Sequence, residues 1–172
     1  SDGNEYLVAW SDTRVSGETE KNAIFIQRVS ASGVAYGAPL QVSATSDVVA
    51  VPRLIFDGKG YVVAWAEVRS DSEDFHLLAA RIPATGGLTP SSVIEAVPKE
   101  SLALKEFALT SDGKDLLVAW PHAYYLDDSL RDVPRTIAMK RISVETGVVG
   151  TTQTVAKTSV PAAQLSAPTF AF

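Results

Sequence analysis

His122, Tyr124 and Tyr125 bring an imidazole and two phenol rings within four residues of one another, with Asp127 and Asp128 just behind them. Aromatic faces stack on sugar rings or on apolar groups of a protein, while neighbouring carboxylates take up hydroxyls or cations, so the chemistry on offer is recognition of a glycan or protein ligand. Two further stretches carry acids in the corresponding phase: Glu18 and Glu20 in one, Asp71 and Glu73, followed by Asp74, in the other. Oxygen-rich loops of this kind can hold calcium. None has the Asp-x-Asp-x-Asp-Gly pattern with a closing Glu, so solvated loop tips are expected and no cofactor is. Catalytic signatures are missing: the chain has no Gly-x-Ser-x-Gly, phosphate loop or His-Glu-x-x-His, and without cysteine it has neither a thiolate zinc site nor a thiol nucleophile. His76 has no partner of catalytic type nearby in sequence and is expected as a surface side chain opening a strand. The ligand-binding candidates are therefore His122, Tyr124, Tyr125, Asp127, Asp128, Glu18, Glu20, Asp71 and Glu73, with no catalytic residue and no metal ligand assigned.

These residues are carried by a repeat. Val-Ala-Trp occurs three times, and Trp10, Trp65 and Trp120 stand 55 residues apart, twice over. In the same frame Asp2-Gly3, Asp57-Gly58 and Asp112-Gly113 precede the tryptophans, and Arg28-Val29, Arg81-Ile82 and Arg141-Ile142 follow them. A period of this size belongs to propellers, solenoids or arrays. Asp-Gly between apolar runs is a strong hairpin signal, because a tight turn needs positive φ, which Gly adopts without steric penalty. First strands are expected at Arg53 to Phe56 and Phe107 to Thr110. Second strands are expected at Tyr6 to Trp10, Tyr61 to Trp65 and Leu116 to Trp120, and third strands at Ala23 to Ser30, His76 to Pro83 and Thr136 to Ser143. Weaker fourth strands are expected near Leu40 to Ser43, Ser92 to Val97 and Thr152 to Ala156. The second strands do not alternate. A run that is apolar on both faces predicts a strand covered on both faces, as when its sheet lies between two others.

Four strands per repeat is the pattern of a propeller blade. The expected fold is all-β, a β-propeller segment of three four-stranded blades, with repeats 2–56, 57–111 and 112–172 in a single unit over 1–172. A propeller has roughly four to eight blades. Three blades per chain therefore suggest half of a six-bladed ring, closed by a homodimer or by the remainder of a longer propeller chain. The chain opens without Met at Ser1-Asp2-Gly3, inside a turn, which fits a mature fragment or an excised piece. It ends in Thr169-Phe170-Ala171-Phe172, which mimics a first strand, so 167–172 is expected to close the blade of Tyr6 to Trp10.

Asp-Gly-Asn-Glu-Tyr-Leu-Val-Ala-Trp-Ser-Asp-Thr-Arg from Asp2, and its counterpart from Phe56 to Arg69, resemble the Asp-Gly-x-x-Tyr-Leu-Val-x-Trp-x-Asp-x-Arg repeats of secreted bacterial β-propeller proteins. The resemblance covers all three repeats and implies a fold and an extracellular or cell-surface setting more than a chemistry. The third repeat departs from it: His122 and Tyr124 stand where Asp12/Arg14 and Glu67/Arg69 stand in the others. Recurrence in one phase suits a structural role for those acid and arginine pairs, together with Arg28, Arg81 and Arg141, in tying one blade to the next. It also suits core packing for the three tryptophans.

Charge excludes some partners. With 20 acidic and 15 basic side chains, a net charge of -5, and no basic stripe, a nucleic-acid partner is not expected. The apolar runs are too short to cross a bilayer, so membrane insertion is not expected either. The reading that follows is a non-enzymatic secreted or cell-surface scaffold binding a carbohydrate or protein ligand. Its alternatives are a fragment of a propeller-type glycoside hydrolase or lyase, and a structural blade array of an adhesin or surface assembly. If 167–172 completes the first blade, deleting Ala167 to Phe172 lowers the melting temperature or changes the assembled mass, and a deletion variant unchanged in both contradicts the assignment.

Overall fold

The glycine of each repeat takes the backbone conformation that its turn requires. Gly3, Gly58 and Gly113 have φ of 90°, 88° and 84°, a region that a Cβ disfavours. In the second repeat the Asp57 carboxylate accepts the backbone N–H groups of Lys59 and Gly60, both at 2.9 Å. In the third, Asp112 accepts those of Lys114 and Asp115 at 2.9 and 2.7 Å. The side chain thus satisfies donors that the reversal would otherwise leave open, which is why Asp precedes Gly.

The computed structural model describes residues 3–16, 19–43, 48–49, 52–68, 75–84, 107–123, 135–143, 146 and 148–158. Among these the chain is all-β, without a helix. The strands are β1 (Glu5–Ser16), β2 (Thr19–Ser30), β3 (Ala35–Gln41), β4 (Val48–Val49), β5 (Arg53–Phe56), β6 (Gly60–Val68), β7 (Phe75–Pro83), β8 (Ala108–Ser111), β9 (Asp115–Ala123), β10 (Arg135–Ser143) and β11 (Gln153–Thr158). They form three antiparallel sheets. The first is β1-β2-β3, and the third is β8-β9-β10-β11 in sequential order. In the middle sheet β7 takes one edge of β6 over its full length, from Gly60↔Pro83 to Val68↔Phe75. The other edge is shared by β5, from Arg53↔Ala64 to Phe56↔Tyr61, and β4, at Val48↔Val68 and Val49↔Glu67.

First, second and third strands stand where the repeat puts them. β4 is an addition that the sequence reading does not contain, and Pro52, which has no N–H to donate, lies between it and β5. β3 begins at Ala35 rather than near Leu40. Gly33, at φ 84°, donates its N–H to the Ser30 carbonyl, and Ser30 N–H returns to Val34 O, so the chain reverses at once and pairs with β2. A bulge between Ile26↔Leu40 and Arg28↔Tyr36 takes up the extra β3 residues, with Gly37 at φ 72° inside it. The fourth strand expected at Ser92 to Val97 and the closing strand at 167–172 lie outside the described residues.

Successive side chains of a strand point to opposite faces, and β6 is buried on both. Tyr61, Val63 and Trp65 form one core layer with Leu7, Ile24 and Ile26 of the first sheet. Val62, Ala64 and Ala66 form a second layer with Leu116, Val118 and Trp120 of the third. The middle sheet therefore lies between the other two, as the unbroken apolar run from Tyr61 to Ala66 requires. Ala64, Ala66 and Ala79 share their layer with the broad rings of Trp120 and Phe107, so small residues oppose large ones. The backbones of the second and third sheets come together where β5 lies beside β8.

The three tryptophans differ in burial because their sheets differ in neighbours. Trp65 and Trp120 are 0% and 1% exposed, whereas Trp10, on the face of the first sheet turned away from the middle one, is half-buried and stacks on Phe25 with ring centroids 6.0 Å apart. Trp65→Ala is expected to cost about 3–5 kcal/mol in chemical denaturation and Trp10→Ala clearly less. Equal losses at the two positions contradict the burial order.

Candidate functional site

Two residues after each tryptophan the strand returns to the same face, which makes Asp12, Glu67 and His122 equivalent positions. In the middle sheet the Trp65 indole donates to Glu67 Oε2 at 3.0 Å, and Glu67 is only 4% exposed. A buried indole N–H needs an acceptor and a buried carboxylate needs donors, and this contact supplies one of each. His76 lies directly across from Glu67 on β7 and is itself buried. That corrects the expectation of a surface histidine: in the β6–β7 register His76 shares the face of Leu78 and Ala80, which packs against the first sheet. In the third sheet His122 replaces the acid, and the buried Trp120 Nε1 has no hydrogen-bond partner among the described residues.

At the opposite end of the hairpins, arginines on the third strands meet acids near the Asp-Gly turns. Arg28 is buried against Glu5, which also accepts from the Tyr36 hydroxyl. The same guanidinium donates to Pro83 O at 2.6 Å and Ala84 O at 2.8 Å, so it ties the first sheet to the middle one. A second tie runs the other way, from the Tyr61 hydroxyl to Glu5 O at 3.1 Å. A guanidinium spread over a carboxylate and two carbonyls keeps its charge partnered while buried.

Arg81 is differently placed. Gly60 stands where the other repeats have Glu5 and Asp115, and a Cβ there would lie 2.6 Å from Ile82 O. The acid is instead Asp57, whose two carboxylate oxygens sit 2.8 and 3.0 Å from Arg81 Nη2. In the third sheet Arg141 meets Asp115 at 2.7 Å and Asp112 at 3.9 Å, and remains exposed. The expectation that these arginines tie one sheet to the next therefore holds for Arg28, while Arg81 and Arg141 bind acids of their own repeat. Arg53 makes a further tie, from Nε to Phe107 O at 3.2 Å.

The structure places the sequence-derived ligand candidates as follows. His122 is in β9 opposite Thr136, and Glu20 is in β2 opposite Val15. Tyr124, Tyr125, Asp127, Asp128, Glu18, Asp71 and Glu73 lie outside the described residues, as does Arg69. Among the described residues no three His, Cys, Asp or Glu side chains are grouped to hold a metal ion. The cross-strand partner of His76, Glu67, is legible only once the hairpin register is known, and Tyr36, whose hydroxyl reaches Glu5 from β3, has no signal in the sequence.

The Asp-Gly end is thus occupied by structural ion pairs and turn bonds. Backbone N–H donors from Asp115 and Lys114, aided by Arg141, hold the Asp112 carboxyl below its ordinary value near 3.8. The folded chain then takes up this proton less readily than the unfolded one. The stabilisation is complete above the unfolded pKa and disappears as pH falls through the lower, folded one. Asp112→Asn, which keeps the acceptor oxygen and removes the charge, is expected to flatten the fall in melting temperature below about pH 4. A variant with the same acid limb as the parent contradicts this.

No protein-family model, curated protein or solved structure matches this chain.

Proposed function

We propose that the chain is a non-enzymatic scaffold, a three-blade segment of a β-propeller, that binds a carbohydrate or protein ligand at the ends of its long hairpins in an extracellular or cell-surface setting. The observation that carries this reading is the contrast between the two ends of those hairpins. At the Asp-Gly end the arginines are engaged by acids, and the turn carboxylates of Asp57 and Asp112 also accept backbone N–H groups. At the other end the connections spanning residues 17–18, 69–74 and 124–134 differ in length and composition. A rigid framework with variable loops at one end is the arrangement by which folds present binding surfaces.

The propeller reading draws its support from the stacking. Three sheets built from successive repeats lie face to face, the third has four sequential antiparallel strands, and the first strands of the middle and third sheets, β5 and β8, run beside each other. The resemblance of the Asp-Gly to Arg phrases to secreted β-propeller repeats agrees with this arrangement. In such a segment Tyr124 and Tyr125 sit on the longest of the three connections, with His122 at its root on β9.

Replacing Tyr124 and Tyr125 together with Ala is expected to abolish capture on a glycan or extracellular-protein array while changing stability by no more than about 0.5 kcal/mol per residue. Unaltered array binding by the double variant overturns the ligand reading. Unfolding would assign the two rings to the core instead.

A further inference from the structure

Each outer sheet of the stack leaves part of its outward face exposed among the described residues, and these two faces correspond to the two halves of an interface that the molecule already makes twice. On the first sheet Tyr6 and Val8 are 50% and 46% exposed, whereas their equivalents Tyr61 and Val63 are 1% and 0% exposed against the neighbouring sheet. On the third sheet Leu117, Ile137 and Met139 are half-buried, whereas the equivalents Val62, Leu77 and Ala79 are buried. We infer that the outer face of the third sheet docks on the outer face of the first sheet of a second copy of this chain, repeating the contact between its own first and middle sheets.

The polar contacts across the internal interface specify those across the new one. Tyr61 reaches back to Glu5 O, and Arg28 reaches forward to Pro83 O and Ala84 O. By the repeat, Tyr6 is equivalent to Tyr61 and Asp115 to Glu5, so the Tyr6 hydroxyl donates to the Asp115 carbonyl of the second copy. Arg141 is equivalent to Arg28, and Ser30 and Ala31 to Pro83 and Ala84. Arg141, with its side chain 57% exposed in the single chain, therefore donates to the Ser30 and Ala31 carbonyls of the other copy. Both residues already stand on the correct faces. The contact is head-to-tail, because the two faces are different surfaces; such contacts form a closed ring where the rotation between copies allows it, and two copies of three sheets then make a ring of six.

Sedimentation of the full chain is expected to give twice 18.3 kDa. Val8→Asp, at a position exposed in the single chain, is expected to give one chain mass with an unchanged far-ultraviolet dichroism spectrum. Tyr6→Phe and Arg141→Ala each raise the dissociation constant by about 10- to 100-fold, since each removes a hydrogen-bonding group from both of the two equivalent contacts. The chain has no cysteine, so disulfide trapping tests the pairing of faces directly. Val8→Cys combined with Leu117→Cys is expected to lock an intermolecular disulfide under oxidation, and Val8→Cys alone is not. A parent chain that stays at one chain mass up to about 100 μM overturns the inference. So does a Val8→Asp variant that keeps double mass, or a Val8→Cys variant that locks alone, since that would mean like faces meet. Open polymers of the parent chain would overturn the closed form. Ligand capture by the hairpin loops has no bearing on these outcomes.

Discussion

Burial of the middle sheet on both faces is the constraint from which the other features follow. A strand with water on one side can alternate apolar and polar residues, and β6 cannot, since Tyr61 through Glu67 are all covered. Each polar group in that span must then find a partner inside the protein. The indole of Trp65 and the carboxylate of Glu67 meet each other, the Tyr61 hydroxyl reaches a carbonyl of the neighbouring sheet, and Gly60 lets β6 approach Ile82 more closely than a side chain would allow. The cost of leaving any of these unsatisfied is about 1–3 kcal/mol, comparable with what a large buried side chain contributes, so packing and polar pairing cannot be separated here.

Arginine resolves the remaining conflict between stacking and backbone chemistry. At the end of β7 the carbonyls of Pro83 and Ala84 face the first sheet, and Arg28 crosses between the sheets to meet both while keeping Glu5. A lysine could not present the planar fork that this requires. The same position in the next repeat behaves otherwise because of a single neighbour: with glycine at 60, the acid moves to the turn and Arg81 follows it. Equivalent sequence positions thus carry out different work according to one small residue nearby.

Much of the fold was legible because its signals are local. Asp-Gly needs only its own φ and its own side chain, and the apolar run before Trp65 declares two-sided burial without reference to distant residues. The similar runs before Trp10 and Trp120 predict the same, but Tyr6, Val8 and Leu117 stay partly exposed because each outer sheet has a neighbouring sheet on one face among the described residues. What escaped depends on register. The pairing of Glu67 with His76 follows from the length of the β6–β7 hairpin, the early start of β3 from the tight reversal at Gly33 with a bulge that includes Gly37, and β4 from two valines that gain meaning only beside Val68 and Glu67. The candidate ligand surface was legible only as composition. Residues such as Tyr124 and Asp127 belong to no periodic run, so sequence can name them but cannot say how they are arranged.

The face-to-face stacking of the sheets has a further consequence for how the molecule opens. Stability in such a stack is approximately a sum of terms for each sheet and for each shared face, so the outer sheets are held by fewer internal contacts than the central one and release first. Nature has placed one indole at each level: Trp10 on an outer face, Trp65 between the first and middle sheets, Trp120 between the middle and third. Their surroundings differ, one stacked on a phenylalanine ring, one bonded to a carboxylate, and one in an apolar layer. The intrinsic fluorescence of the chain is therefore a built-in set of three reporters, able to distinguish the loosening of one layer from the collapse of the whole.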